Sequence, residues 1–256
     1  GALSLTWEPK YREPFMPTGT PVTFVDYNDV AQLEAAVTAD TAAILLEPVQ
    51  GEGGIHEVDE AFVVAARQAA DRHGALLIVD EIQTGAGRTG TFLASEEWPV
   101  SPDMVTIAKG IGGGVPIGVL LMTDAVARAM PAGGHGTTFG GNALASAAGL
   151  AVLREFRDHG LLEHVRETGE YFRDRLLELD PTMVSAVRGR GLLLGLELHQ
   201  PAAPVMAALR RHGVLTINAG TNVIRLVPPL VITRNEVDEV ISRLRLALAD
   251  MAGNAA

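Results

Sequence analysis

The chain has no cysteine among its 256 residues. This absence excludes disulfide scaffolds, thiol nucleophiles, iron–sulfur clusters and zinc sites built from cysteine. Apolar runs long enough to span a membrane, which need ~18 residues, are also missing. The most apolar helical stretch, Ala143–Leu153, is interrupted by Ser146 and Gly149. The sequence therefore predicts a cytoplasmic protein that does not interact with a membrane.

Basic charge is scarce as well, because 20 lysines and arginines stand against 31 acidic residues, a net charge of −11. A surface of this sign repels a phosphate backbone, so we expect no nucleic-acid partner. Apolar residues make up 47% of the chain and charged residues 20%, which is the balance of an ordinary globular α/β protein. The length suits one large domain or two unequal domains.

The first half of the chain alternates short β-rich runs with helical periodicity, an order typical of βαβ units. Uninterrupted apolar runs favour a mostly parallel mixed sheet covered by helices, and such sheets bind ligands at the carboxyl ends of their strands. The predicted strands are Val22–Tyr27, Ala42–Glu47, Ala75–Val79, Met104–Ala108 and Ile117–Met122. One predicted helix starts after Asp29, another ends at Gly74, and a long one runs from Asn142 to Phe156.

After this long helix the order changes, and we expect a smaller C-terminal α/β domain over residues 158–256. Residues 1–157, which end in the long helix, belong to the larger domain. A capping box of Thr233 and Glu236 predicts the start of the last helix. The other predicted elements are helices from Leu162 to Leu179 and Val205 to Arg211, and strands Val184–Val187, Leu192–Leu198, Val214–Ile217 and Val223–Val227.

Lysine is the residue whose scarcity is most informative, since only Lys10 and Lys109 occur beside eighteen arginines. A lysine is ordinarily a solvated surface charge. Lys109, however, follows the apolar run Met104–Ala108 and precedes four glycines within five residues, and glycines let the backbone approach a ligand. A desolvated lysine can lose its proton and condense with an aldehyde, whereas an arginine stays protonated.

Asp80 ends the preceding apolar strand, and 29 residues separate it from Lys109. A helix cap or a turn is one explanation for an aspartate at this place. The separation is about the length of one βαβ unit, so we expect both side chains at the same edge of the sheet. A converging amine and carboxylate are what pyridoxal phosphate requires: the amine binds its aldehyde, and the acid keeps its ring nitrogen protonated.

Other catalytic patterns are weak or missing. Residues Gly85–Gly90 fit the G-x-G-x-x-G pattern of dinucleotide sites, but they do not follow the strand directly and no clear helix start comes after them. No Gly-Lys dipeptide occurs, which excludes a P-loop, and no G-x-S-x-G occurs, which excludes a nucleophile elbow. The seven histidines show no ligand spacing, so we expect no metal site.

Five motifs along nearly the whole chain resemble those of the class III pyridoxal-phosphate aminotransferases, with the closest likeness to acetylornithine and ornithine aminotransferases. The motifs are Glu47–Gly54, Asp80–Gly90, Lys109 with its glycines, His135–Asn142 and Val223–Pro229. This resemblance implies fold type I of the pyridoxal-phosphate-dependent transferases, with a large cofactor domain and a small C-terminal domain. It also implies pyridoxal 5'-phosphate as cofactor and a homodimer.

The resemblance also implies roles for single residues. Lys109 would bind the cofactor aldehyde and carry protons, and Asp80 would pair with the pyridine nitrogen. Gln83 would hydrogen-bond the cofactor's phenolic oxygen, and Thr138 would bind the cofactor phosphate of the neighbouring subunit. Without the surrounding motifs, Gln83 would be taken for a turn side chain and Thr138 for a surface hydroxyl.

Glu52 and Arg225 match the pair that ornithine-type members use as a switch between two substrates. The pair would open to let 2-oxoglutarate bind the arginine, because one arginine–carboxylate pair can replace another at small net cost. A static structural ion pair is the alternative. The implied activity moves the distal amino group of N-acetylornithine or ornithine to 2-oxoglutarate in arginine biosynthesis.

Two other interpretations stay open. Class III transaminases and aminomutases that act on ω-amino acids or succinylornithine share these motifs, and an inactive fragment is the second alternative. Family members begin with a longer front part, which carries an interface helix, a phosphate loop and an aromatic residue that stacks on the cofactor. None of these occurs in this sequence, so we expect an N-terminally truncated form with uncovered apolar faces and weakened cofactor binding.

Overall fold

Short strands and longer helices alternate along residues 1–253, which the computed structural model describes. The helices are α1 (Pro9–Arg12), α2 (Val30–Ala36), α3 (Glu60–His73), α4 (Asp124–Ala129), α5 (Ala143–Asp158), α6 (Leu161–Leu177), α7 (Ala202–Arg211) and α8 (Arg234–Gly253). The strands are β1 (Ala43–Leu46), β2 (Leu76–Asp80), β3 (Met104–Ile107), β4 (Val119–Met122), β5 (Val184–Arg190), β6 (Leu193–Leu198), β7 (Ile217–Ala219) and β8 (Val223–Leu226). Within the described residues, no helix is both long and apolar enough to cross a membrane.

The first four strands form a mixed sheet in the order β1-β2-β3-β4. Strands β1, β2 and β3 run parallel, and β4 pairs with β3 in the antiparallel direction. Helix α3 covers one face of the sheet, where Phe62 and Ala66 share a buried apolar cluster with Ile44 and Leu77. This arrangement confirms the predicted mostly parallel mixed sheet flanked by helices.

The opposite face of this sheet keeps apolar side chains at its surface. Leu45 on β1 and Leu120 on β4 are 40% and 45% exposed. Helix α5 likewise presents Leu144 and Leu150 to the surface. Exposed apolar area of this kind is typical of an interaction surface.

Most helix boundaries follow the residues that the sequence indicates. Asp29 caps α2 by accepting a hydrogen bond, 2.9 Å long, from the backbone N–H three residues later. Gly74 ends α3 with a φ of 71°, which glycine adopts without strain.

The predicted strand Val22–Tyr27 is wrong, because this segment has no neighbouring strand to pair with. Tyr27 packs instead on Phe62, with ring centroids 6.1 Å apart.

The last four strands form an antiparallel sheet in the order β5-β6-β8-β7. Helices α6, α7 and α8 contribute to one buried core whose residues extend from Val165 to Leu248. The predicted capping box at the start of α8 is confirmed. Thr233 N donates to Glu236 Oε2 at 2.8 Å, and Glu236 N donates back to Thr233 Oγ1 at 3.3 Å.

Strands β5 and β7 of the small sheet differ most from the prediction. Strand β5 continues through residues 188–190, which the sequence places between strands, because these residues pair with Leu193–Gly195 of β6. Strand β7 runs from Ile217 to Ala219 and not from Val214 to Ile217, because its pairing with β8 starts at Ile217 and Arg225 and includes no residue before Ile217. Cross-strand pairing, which apolar periodicity does not reveal, decides both boundaries.

The two sheets meet at a junction centred on Ile55. This side chain is fully buried and shares a cluster with Leu193 and Val223 of the small sheet. Glycine makes the approach possible, because a Cβ added to Gly189 or to Gly195 would lie 2.8 Å from an Ile55 carbon. The separate cores on either side agree with a domain boundary near residue 158, which stays a prediction.

Gly169 in α6 allows a second close approach, and its substitution tests the packing. A Cβ there would lie 2.3 Å from the Gly191 carbonyl oxygen. We expect Gly169→Ala to lower the free energy of unfolding by ~1–3 kcal/mol, the usual cost of overpacking. Gly149→Ala in α5 is the matched control, since its Cβ would have 3.6 Å to the nearest atom, and it should be neutral or stabilising by up to ~1 kcal/mol. Equal urea midpoints for the two variants would contradict this packing.

Candidate active site

The carboxyl ends of the three parallel strands each carry an ionisable side chain. Glu47 directly follows β1, Asp80 is the last residue of β2, and Lys109 lies two residues beyond β3. The strand register pairs Asp80 with Thr106, which precedes Lys109 by three residues. The topology therefore brings the three groups to one edge, where open α/β sheets bind their ligands.

Asp80 is fixed at this edge through one of its two carboxylate oxygens. Its Oδ1 accepts hydrogen bonds from Ile82 N at 2.9 Å and from Thr106 Oγ1 at 3.1 Å. The bond to Ile82 is an Asx turn, so the turn role considered from the sequence is present. No hydrogen bond from residues 1–253 reaches Oδ2, which leaves that oxygen available to a protonated ligand nitrogen.

Lys109 has a strained backbone and a perturbed amine. Its φ of 48° lies in the left-handed region, which is costly for a residue with a Cβ and is concentrated at functional sites. The residue is accessible to solvent over more than a third of its surface. The burial of the remainder and the positive charge of Arg225 lower the pKa of its amine. Carboxylates of Asp80, Glu47 and Glu52 act on the pKa in the opposite direction. Four charged groups thus surround this amine.

Arg225 extends from β8 of the small sheet to the loops of the large one. Its side chain is only 6% exposed, whereas that of its partner Glu52 is 64% exposed. Arg225 Nη1 donates to Gly51 O at 2.5 Å, to Glu52 Oε1 at 2.7 Å and to Gln83 Oε1 at 3.1 Å. Its Nε is buried without a hydrogen-bond partner in the described part of the chain. A buried cation whose carboxylate partner stands in solvent can exchange that partner for a ligand carboxylate.

A cavity of about 410 Å³ adjoins Arg225 on the small domain. Its walls are mostly apolar, including Phe172 and Ile232, and Thr216 lines it with a buried Oγ1 that has no hydrogen-bond partner in residues 1–253. Neither Lys109 nor Asp80 lines this cavity. We therefore place the candidate site at the strand ends, where the ionisable groups converge, and not in the cavity.

Glu47 supports this edge through its backbone and its side chain. Tyr27 Oη donates to the Glu47 carbonyl oxygen at 2.6 Å, and Gly51 N donates to Glu47 Oε2 at 3.0 Å. Burial raises the pKa of Glu47, and the Gly51 hydrogen bond counteracts part of that effect. These contacts give Glu47 a supporting role at this edge.

Sequence reasoning missed the buried carboxylate of Glu81. Its Oε1 accepts from Ser95 N at 2.7 Å and Ser95 Oγ at 2.8 Å, and its Oε2 accepts from Thr84 Oγ1 at 2.5 Å and Ala94 N at 3.1 Å. These bonds fasten the loop that carries Gln83. A signal was present, because neighbouring residues of an extended chain point to opposite faces. Asp80 and Glu81 could not both face the ligand edge.

Thr138 is the one predicted site residue that the structure does not bring to this cluster. It lies in segment 131–144, whose residues are all exposed. The structure places Lys109, Asp80 and Gln83 near the pair of Glu52 and Arg225, and it leaves Thr138 on the surface.

The side chains at the sheet edge fit pyridoxal phosphate. Lys109 offers an amine for the aldehyde, and Asp80 Oδ2 is free to accept a hydrogen bond from a protonated ring nitrogen. Within residues 1–253, no group of three or more histidine or acidic side chains is placed to hold a metal ion. A mostly parallel sheet with these groups at its carboxyl edge, followed by a small antiparallel sheet, agrees with the fold type I class of pyridoxal-phosphate-dependent transferases that the motifs imply.

The family follows from comparison with known proteins. The family model for class III aminotransferases matches residues 1–248. The chain belongs to this family, whose members depend on pyridoxal phosphate.

Two relatives of this chain are named as amino-group transferases. A protein named [LysW]-aminoadipate semialdehyde transaminase from Deinococcus radiodurans is 47% identical over 251 residues, which cover 97% of this chain and 58% of the relative. The acetylornithine aminotransferase of Agrobacterium fabrum is 46% identical over 250 residues, 96% of this chain and 63% of the relative. The chain thus spans less than two thirds of either relative.

Solved structures show the same fold. The ornithine aminotransferase of Toxoplasma gondii matches with a TM-score of 0.90 and 32% identity, over 99% of this chain and 62% of that one. The N-acetylornithine aminotransferase of Stenotrophomonas maltophilia matches with a TM-score of 0.80 and 40% identity, over 91% of this chain and 63% of that one.

The influence of Arg225 on Lys109 can be measured directly. Because the Arg225 charge lowers the pKa of Lys109, Arg225→Gln should raise that pKa and shift amine acylation at Lys109 to higher pH. Mass spectrometry of acylated peptides across pH measures this, with Lys10, the only other lysine, as internal reference. Arg188→Gln is the control, since Arg188 bonds Gly54 O and Glu197 elsewhere at the junction. No shift in Arg225→Gln, or a shift to lower pH, would contradict the arrangement.

Proposed function

We propose that the protein containing this chain transfers the distal amino group of N-acetylornithine, or of ornithine, to 2-oxoglutarate, with pyridoxal phosphate as cofactor. This reaction belongs to arginine biosynthesis, and we place it in the cytoplasm. The observation that carries the proposal is the ion pair of Arg225 and Glu52, 2.7 Å long, close enough to Lys109 for both charges to act on its pKa. Relatives named acetylornithine aminotransferase support the choice of donor.

The two partners of this pair differ in how easily they can move. Arg225 is buried and held by backbone and side-chain acceptors, whereas Glu52 is largely in solvent. When the keto acid binds, its carboxylate takes the place of Glu52 on Arg225, and Glu52 moves into water at small cost. When the amino donor binds, Glu52 stays on Arg225 and neutralises it. One pocket thereby accepts two substrates of different charge.

Lys109 and Asp80 carry the chemistry in this proposal. When bound, pyridoxal phosphate supplies an aldehyde for amines and a ring that withdraws electrons from the reacting carbon. Lys109 Nζ holds the aldehyde and, once released, moves a proton at the amine-bearing carbon of the donor. The lowered pKa of Lys109 favours the neutral amine that accepts this proton. Asp80 Oδ2 keeps the ring nitrogen protonated, and the Gln83 amide donates to the phenolic oxygen.

A homodimer completes the proposed site. We assign Thr138 to the phosphate of the cofactor held by the partner subunit. The exposure of segment 131–144, in which Phe139 is 80% exposed, supports an interface there. Leu144 and Leu150 of α5 add exposed apolar surface after the same segment, as expected for a surface that a second subunit covers.

A second donor is favoured by the Deinococcus radiodurans relative, whose name specifies an aminoadipate semialdehyde. That aldehyde has one carbon more than the semialdehyde formed from ornithine, so its amine counterpart is a lysine derivative. Parallel assays with N-acetylornithine and N-acetyllysine separate the two donors. Faster turnover of N-acetyllysine would favour the second donor within the same family.

Covalent mapping tests the proposed chemistry at the residue that carries it. After incubation with pyridoxal phosphate and reduction with borohydride, peptide mapping should find the label on Lys109 and not on Lys10. Lys109→Ala should abolish both the label and amino transfer, because no other residue near Asp80 offers an amine, whereas Lys10→Ala should retain both.

The same experiment distinguishes an active enzyme from an inactive fragment. Lack of label on Lys109, both in this chain and in a longer chain that includes it, would contradict the enzyme proposal. Label without amino transfer in the longer chain would leave the cofactor site intact and refute the proposed activity.

A further inference from the structure

The loop Gly85–Gly90 contains a partly buried arginine, Arg88, that the proposed function does not use. Arg88 Nη1 donates to Pro228 O at 2.6 Å and to Leu192 O at 3.1 Å. In return, Leu192 N donates to Arg88 O at 3.0 Å. These three bonds join the loop to the turn between β5 and β6 and to the segment that follows β8.

Arg88 makes these bonds without a carboxylate partner in the described part of the chain. Burial alone lowers the pKa of its guanidinium to about 10. Burying an uncompensated cation is costly, and an apolar side chain would fill the same space without that cost. What the guanidinium adds is a rigid donor that can bond two carbonyl oxygens at once. The geometry of its donors therefore explains its presence better than its volume does.

The backbone around Arg88 has no room to shift. A Cβ on Gly191 would lie 2.6 Å from Thr89 C and 2.7 Å from Arg88 O. The loop itself is tightly turned, with φ values of 51° at Ala86 and 81° at Gly87. Contacts this close transmit a displacement of one segment to the other.

The two segments that Arg88 joins also carry the two sides of the carboxylate site. Pro228 follows Arg225 by three residues, and Gln83 precedes Arg88 by five. Arg225 and Gln83 meet at 3.1 Å. We propose that Arg88 is a positioning residue for Arg225. Through its bonds, Arg88 holds the guanidinium of Arg225 at the distance from Gln83 and Glu52 that a ligand carboxylate requires. This inference rests on the proposed function, since it takes Arg225 as the carboxylate receptor.

A positioning role predicts that loss of Arg88 weakens the binding of carboxylate ligands but not the attachment of the cofactor. Without the Arg88 bonds, the end of β8 is free to move relative to the loop of Gln83, and Arg225 no longer presents its donors in one fixed arrangement. Ligands that use Arg225 lose affinity. The attachment of pyridoxal phosphate to Lys109, which depends on β2 and β3, stays unchanged.

The test is calorimetric titration of the protein with glutarate, an unreactive dicarboxylate. Arg88→Gln should weaken glutarate binding by roughly tenfold, the effect of disturbing one charged hydrogen bond. Cofactor loading, followed by absorbance, should stay within about twofold of the wild type. Arg166→Gln is the matched control, because Arg166 Nη1 bonds the same loop at Gly90 O, 2.6 Å away, without reaching β8. Its glutarate affinity should stay within about twofold of the wild type.

Other outcomes decide against the inference. Three results would each overturn it. The first is unchanged glutarate binding in Arg88→Gln, and the second is an equal loss of glutarate binding and cofactor loading in that variant. The third is the same loss of glutarate binding in Arg166→Gln. If Arg88→Gln does not fold, Arg88→Lys, which keeps the charge but not the paired donors, replaces it with the same expected selectivity. Failure of both variants to fold would make Arg88 a folding residue and overturn the inference.

Failure of the proposed function gives a different result. A wild-type protein that binds neither glutarate nor pyridoxal phosphate would refute the proposed function itself. A wild type that binds both, together with an Arg88→Gln variant that also binds both normally, would refute only the role of Arg88.

Discussion

The buried guanidinium of Arg225 requires hydrogen-bond acceptors and a counter-charge, and the surrounding structure supplies both. An unpaired cation in the interior is costly, and Arg225 is met by a backbone carbonyl, the Gln83 amide and the Glu52 carboxylate, all through Nη1. Only the last of these carries a charge, and it is the one that stands in solvent. The cation is therefore fixed while its counter-ion is exchangeable. This asymmetry is what the proposed exchange of Glu52 for a ligand carboxylate requires.

Glycine and arginine together hold the two sheets at the geometry that this receptor needs. Ile55 enters a hollow that exists because Gly189 and Gly195 lack side chains. Near it, Arg88 crosses the junction and donates to the backbone carbonyls of Leu192 and Pro228. A chain with two lysines and eighteen arginines thus uses the planar donor of arginine where segments must be joined, and it uses lysine where a proton must leave.

Much of the fold could be predicted from the sequence, because apolar periodicity and caps such as Asp29 and Gly74 act locally. The convergence of Asp80 and Lys109 could also be predicted, since parallel strands end at a common edge. Three features could not. The left-handed φ of Lys109 occurs without a glycine to indicate it, and the segment Val22–Tyr27 has strand character but no partner. Strand alternation separates Asp80 from Glu81, but it does not identify Ser95 and Ala94 as the partners of the buried Glu81 carboxylate.

The most direct test of the central claim is the affinity of glutarate for Glu52→Ala compared with the wild type. If Glu52 competes with ligand carboxylates for Arg225, its removal leaves the buried cation without its protein counter-ion. Glutarate should then bind several-fold more tightly, a gain of about 1 kcal/mol in binding free energy. Glu57→Ala, which removes an exposed carboxylate from the same loop region, should leave the affinity unchanged. Equal or weaker glutarate binding in Glu52→Ala would show that the pair is static, and it would contradict this account.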